Sequence, residues 1–173
     1  MTADELKAAQ APLKAQYQSN PESAKWTISS RGRIGRDAPT VQLETGHGRV
    51  LAGLHPAAGG NGLEACSGDM LLESLAACSG VTLKAVSIAM GIELRESFVI
   101  AEGDLDFRGT LGVSKEVPVS FGAIRLRFEL DTDASDEQLD TLLRLSERYC
   151  VIFQTLKQPP QLALSRKKLQ AVG

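Results

Sequence analysis

The chain has 173 residues, of which 43% are hydrophobic and 23% charged, with a formal charge of −2. That length suits one domain with an added terminal element and is enough for a sizeable core. A charge so close to neutral excludes steering onto nucleic acid or an anionic membrane by bulk electrostatics, and the composition is that of an ordinary globular protein.

Met1 to Ala11 are mixed and charged, without the basic start and apolar run of a secretory signal, and no stretch is read as long enough to span a membrane. A cytoplasmic location is the expectation. There the three cysteines should be free thiols or a transient redox pair rather than a lasting disulfide. Thr2, Asp4 and Glu5 suit a helix cap and first turn, and the pattern runs on to about residue 18, where Asn20-Pro21 ends it. This predicts an appended helix kinked or broken at Pro12, so the organisation expected is an N-terminal helix over 1–22 and one domain over 23–173.

Three short strand-like runs follow, 25–33, 40–45 and 49–54, separated by Gly35-Arg36-Asp37 and Gly46-His47-Gly48. Such separators are turn chemistry, so an antiparallel meander is predicted. The glycine-rich stretch 56–62 reads as a loop. Asp69 to about Met90 is the longest helical pattern, capped by Ser67 or Asp69 and stopped at Gly91. One apolar row in it is Leu71, Leu75, Cys78, Thr82, Ala85 and Ala89, with Leu72, Ala76, Leu83, Val86 and Met90 beside it. The small residues Ala76 to Gly80 would let a neighbour, from this chain or a second subunit, come close at the level of Cys78. Two extended stretches, 93–108 and 117–130, should pair as a hairpin, the second alternating Ile124, Leu126, Phe128 and Leu130 with charged residues. A helix opening at 133–137, a short helical piece from Cys150 to before Pro159-Pro160 and a last strand at 161–165 complete the order. The result is an α+β fold: antiparallel sheets around a long central helix.

Leu75-Ala76-Ala77-Cys78-Ser79-Gly80 in an apolar helix, and Cys150-Val151-Ile152-Phe153-Gln154-Thr155-Leu156 far downstream, resemble the OsmC family, which includes the organic hydroperoxide resistance proteins. The resemblance extends over roughly 25–166. It implies an intertwined homodimer with peroxidase activity toward organic hydroperoxides or hydrogen peroxide, in which Cys78 is the attacking thiolate and Cys150 the thiol that closes a disulfide with it. An external thiol reductant would then restore the pair. The family sets an arginine against the thiolate, which implies Arg33 of the Gly32-Arg33 pair, or Arg36. Ser67-Gly68-Asp69 stands where the hydroperoxide branch carries Asn-Pro-Glu, making Asp69 the counterpart of the acid that holds the arginine and placing the chain in the broader OsmC-like group.

Read without the resemblance, Cys78 is a small buried hydrophobe and Cys150 either core filler or a partner thiol. The arginines are then solvated turn charges. Cys66, near the start of the central helix, is an incidental thiol or an alternative resolver. His47 and His55 are turn residues, lacking the spaced partners of a zinc site, and no cofactor, metal, nucleic acid or membrane partner is expected. The rival function is a non-catalytic dimer of the same fold that binds a small apolar ligand in the pocket between subunits.

Overall fold

The computed structural model describes residues 1–46 and 48–169; His47, read above as a turn residue, lies outside the described residues. Its helices and strands follow the predicted order, with differences that have physical causes. The N-terminal helix α1 (Ala3–Ser19) is closed by a capping box in which Thr2 Oγ1 accepts from the Glu5 amide and Glu5 reaches back to the Thr2 amide. It runs through Pro12 as one helix, so of the kink or break expected there the break does not occur. No residue of α1 is buried, so the carbonyl deprived of its partner by the proline can turn to water.

Strands β1 (Arg31–Ile34), β2 (Val41–Thr45) and β3 (Gly48–Gly53) form the predicted antiparallel meander, with Arg33 opposite Gln42 and Gln42 opposite Leu51. β1 begins later than predicted: Lys25 to Ser30 is extended but pairs with no strand, leaving Trp26 and Ile28 exposed. A two-residue strand β4 (Ala65–Cys66), which the sequence does not announce, pairs in parallel with the end of β3. It fixes the entry of the central helix α2 (Ser67–Ala89). The loop before it turns tightly at Gly60, where a Cβ would stand 1.7 Å from the Leu54 carbonyl oxygen, so only glycine fits.

The second sheet is the predicted hairpin, β5 (Ser97–Leu105) against β6 (Phe121–Leu130), with a short helix α3 (Phe107–Thr110) in the connection. Two helices follow: α4 (Asp136–Tyr149), started by a capping box between Ser135 and Gln138, and α5 (Val151–Lys157). The strand predicted at 161–165 is absent. The segment pairs with none of the described strands, and Leu162 and Leu164 stand in solvent.

α2 is the axis of the molecule and packs on α4, α5 and β5. By length and composition alone it could cross a membrane, which corrects the expectation that no stretch qualifies. Its alanines, serines and glycine keep polarity low while allowing close helix and strand neighbours. Its buried stripe is Leu75, Ser79, Leu83 and Ser87, one residue in every four, and Leu83 joins Leu142 of α4 and Ile92 in the main apolar cluster. Val86, Met90, Phe128, Leu130 and Leu139 border that cluster.

This core is thin for the chain's size. The accessible surface is 13777 Å², where a compact monomer of 18.5 kDa would expose about 8,200 Å². Part of the excess lies on α1 and the extended C-terminal segment. Part lies on apolar side chains of the helices and hairpin themselves, including Val81, Phe98 and Val151.

Candidate active site

Cys78 lies half-buried in the middle of α2, and Cys150 is 1% exposed at the junction of α4 and α5. Both are free thiols. The junction exists because Cys150 leaves helical geometry (φ −76°, ψ 109°), ending α4 and starting α5 at one residue. Its amide still donates to the Ser146 carbonyl at 3.0 Å, while its sulfur accepts from the Phe153 amide at 3.4 Å as the cap of α5. The bend turns the first amides of α5 and the Cys150 side chain toward α2.

Packing brings these elements together because α2 is narrow here. A Cβ on Gly80 would stand 3.1 Å from Val99 Cγ1, so β5 lies directly on the helix, and Ser79 Oγ is 3.2 Å from Cys150 Sγ on the α4–α5 side. The small residues 76–80 do admit close neighbours, and those seen are from the same chain.

Opposing influences act on the Cys78 thiol. Burial pushes it up, but hydrogen bonds from the Ile152 amide, the Cys150 side chain, the Val151 amide and the Thr82 side chain together hold it below the ordinary thiol value. A thiol with a lowered pKa carries more thiolate near neutral pH, and the thiolate is the nucleophile. Of the groups that lower the Cys78 pKa, one is therefore the side chain of Cys150.

The other predicted residues stand apart from them within one chain. Arg33 is exposed on β1 and Arg36 exposed in the β1–β2 turn, and neither is among the groups acting on Cys78. Asp69 is exposed in the first turn of α2, nine residues from Cys78 or about 13 Å along the axis. Cys66 caps α2 through its backbone at the end of β4. His55 is a turn residue: its Nδ1 accepts from the Ala57 amide at 3.0 Å and its ring stacks on Phe107 with centroids 4.9 Å apart.

The sequence reading missed Ser79. It falls in neither apolar row because serine is not scored as apolar, yet the step of four from Leu75 to Leu83 passes through it.

A sequence model of the OsmC-like proteins matches residues 59–165, a stretch holding α2, the β5–β6 hairpin, α4 and α5 and therefore both thiols. The chain belongs to the OsmC-like protein family. Solved structures agree on the fold of this OsmC-like protein. An OsmC-like protein from Mycoplasma pneumoniae superposes with a TM-score of 0.65 at 14% identity, over 78% of this chain and 90% of that one. The organic hydroperoxide resistance protein of Elizabethkingia anophelis gives 0.59 at 17% identity, over 78% and 91%. The organic hydroperoxide resistance protein OhrB of Bacillus subtilis gives 0.52 at 20%, over 78% and 93%. At these identities the likeness establishes the fold. No curated protein matches the OsmC-like chain by sequence. The family so identified includes organic hydroperoxide resistance proteins.

Proposed function

We propose that this OsmC-like protein is a thiol peroxidase that reduces organic hydroperoxides through Cys78 and Cys150. The observation that carries the reading is the lowered pKa of the Cys78 thiol, to which the α5 amides and the Cys150 side chain contribute. In the first step the Cys78 thiolate attacks the terminal peroxide oxygen and the O–O bond breaks. The alkoxide leaves as alcohol after taking a proton, and Cys78 becomes a sulfenic acid. Cys150 then attacks the Cys78 sulfur, the S–O bond breaks, water departs and a disulfide forms. An external dithiol returns both cysteines to thiols by exchange and is itself oxidised to a disulfide.

A cavity of about 600 Å³, bordered by Leu126, Phe128, Leu139, Leu143 and Phe153 together with Arg127, Ser146 and Glu147, reaches Ser79 and Cys150 and has room for an organic peroxide. The working unit in this reading is a homodimer. The surface excess and the exposed apolar side chains support it, since obligate interfaces are large and apolar. Arg33 or Arg36, held by Asp69, would then reach Cys78 from the second copy.

The same cavity also favours a second reading, a dimer that binds an apolar ligand without turnover, its cysteines serving as packing. One equivalent of an alkyl hydroperoxide followed by mass-spectrometric mapping of thiols separates the two. A peroxidase yields the Cys78–Cys150 disulfide and loses peroxide consumption in Cys78→Ser. Wild-type protein that consumes no more peroxide than Cys78→Ser would leave the ligand-binding reading.

A further inference from the structure

Among the described residues three serines are buried: Ser79, Ser87 and Ser146. Two of them donate to carbonyls of their own helices, Ser87 to Lys84 at 2.9 Å and Ser146 to Leu142 at 2.7 Å. This is the usual way for a helical serine to satisfy a buried hydroxyl. Ser79 does otherwise. Its Oγ is 3.2 Å from Cys150 Sγ, 71 residues away in sequence. No buried side-chain oxygen or nitrogen among the described residues is left without a partner, so the thiol is what satisfies this hydroxyl. A serine 2% exposed between Leu75 and Leu83 carries a desolvation cost that alanine would not, and only its partner offsets it.

The direction of the hydrogen bonds follows from the charge on the Cys150 sulfur. Cys150 Sγ accepts the Phe153 amide at 3.4 Å, and in its contact with Ser79 Oγ either group can be the donor while Cys150 is a thiol. Once Cys150 has lost its proton to become the attacking thiolate, the hydroxyl of Ser79 is the donor to Cys150 Sγ. The sulfur therefore has two donors aimed at it, one from a side chain and one from the backbone.

We propose that Ser79 is a positioning residue for Cys150, holding its sulfur toward Cys78 and, with the Phe153 amide, stabilising the negative charge the sulfur carries once its proton has left and before it attacks. The role rests on the peroxidase reading above and concerns its second step. There the Cys150 S–H bond breaks and an S–S bond forms to Cys78. The S–O bond of the sulfenic acid breaks, and the departing hydroxide takes the Cys150 proton as water. The Cys150 sulfur is oxidised and the Cys78 sulfur reduced, both to the disulfide level, with no outside oxidant. Ser79 keeps its own proton throughout.

The test measures peroxide loss and disulfide formation separately, in single turnovers of the wild type, Ser79→Ala and Ser146→Ala with an alkyl hydroperoxide. Ser79→Ala should consume peroxide like the wild type but close the disulfide about tenfold more slowly, because a hydrogen bond to a charged group is lost. Its pH profile for disulfide closure should move to higher pH, while Ser146→Ala follows the wild type in both steps. Disulfide closure in Ser79→Ala at the wild-type rate and pH profile would overturn the role, as would equal slowing by Ser146→Ala.

A second measurement needs no peroxide. In a Cys78→Ser background, alkylation of Cys150 by iodoacetamide is followed across pH with and without Ser79→Ala. Slower alkylation at each pH below the plateau supports the role, and an unchanged profile overturns it. Wild type that consumes no peroxide refutes the peroxidase reading, and this alkylation profile still decides whether Ser79 stabilises the Cys150 thiolate.

Discussion

The backbone amide of Ile152, in the first turn of α5, lowers the pKa of Cys78 in the middle of α2. A main-chain donor therefore stabilises this thiolate within the single chain, alongside the Cys150 and Thr82 side chains and the Val151 amide, and the net shift is downward despite burial. Alkylation of Cys78 should accordingly be half-maximal below the pH of an ordinary thiol. Cys150→Ala should move that midpoint up and Cys150→Ser less so, since a hydroxyl still donates. The sign for stability follows: a thiol depressed on folding contributes fully above its unfolded value, and that contribution is lost as pH falls through the folded one. Denaturant midpoints across that window, compared between wild type and Cys78→Ala, check it.

The approach of β5 to α2 makes a graded prediction at Gly80. Alanine there gains about 1 kcal/mol of helix propensity, but its methyl meets Val99 at 3.1 Å, so the two effects should cancel to within about 1 kcal/mol. Leucine has no such room and should cost about 1–3 kcal/mol or more by forcing α2 and β5 apart. Urea unfolding of the two variants measures both.

Ser135 caps the helix that carries Leu142 into the core and Cys150 to the site, its Oγ accepting from the Gln138 amide at 3.4 Å. Ser135→Ala should lower stability by about 1 kcal/mol. Leu142→Ala, at a site 0% exposed, should cost about 2–5 kcal/mol. The cap variant should leave single-turnover peroxide loss unchanged in the folded protein.

Arg33 and Arg36 lie away from Cys78 in one chain, so their action under the proposed function is across a dimer. Light scattering should give a mass near twice 18.5 kDa, and Tm should rise with protein concentration. Arg33→Ala or Arg36→Ala should reduce peroxide consumption. A mixture of that variant with Cys78→Ser, unfolded and refolded together, should regain activity, because mixed dimers hold one complete site. A mixture that stays as inactive as its components would show that the arginine does not act from the second chain.

Much of this was legible in the sequence because periodicity and turn chemistry are local. The α2 pattern ending at Gly91, the alternation of β6 and the serine-led start of α4 each predict their element within a few residues. What was not legible depends on partners distant in the chain. The two-residue β4 has no pattern of its own and exists because Ala65 and Cys66 meet the end of β3. The 161–165 segment has strand-like residues yet pairs with no described strand. At the site, the two cysteines were marked by their segments, but the amides of Val151 and Ile152 carry no side-chain signature, and Ser79 was hidden in an apolar pattern by its hydroxyl.

Cys150 ends one helix and begins another, and the sulfur that caps α5 is the same atom proposed to bond to Cys78. A disulfide would engage that sulfur elsewhere and take the cap from the Phe153 amide. Each catalytic cycle would then tighten and slacken the seven residues of α5, so the oxidation state of the pair would be written into the backbone as well as into the chemistry of two sulfurs.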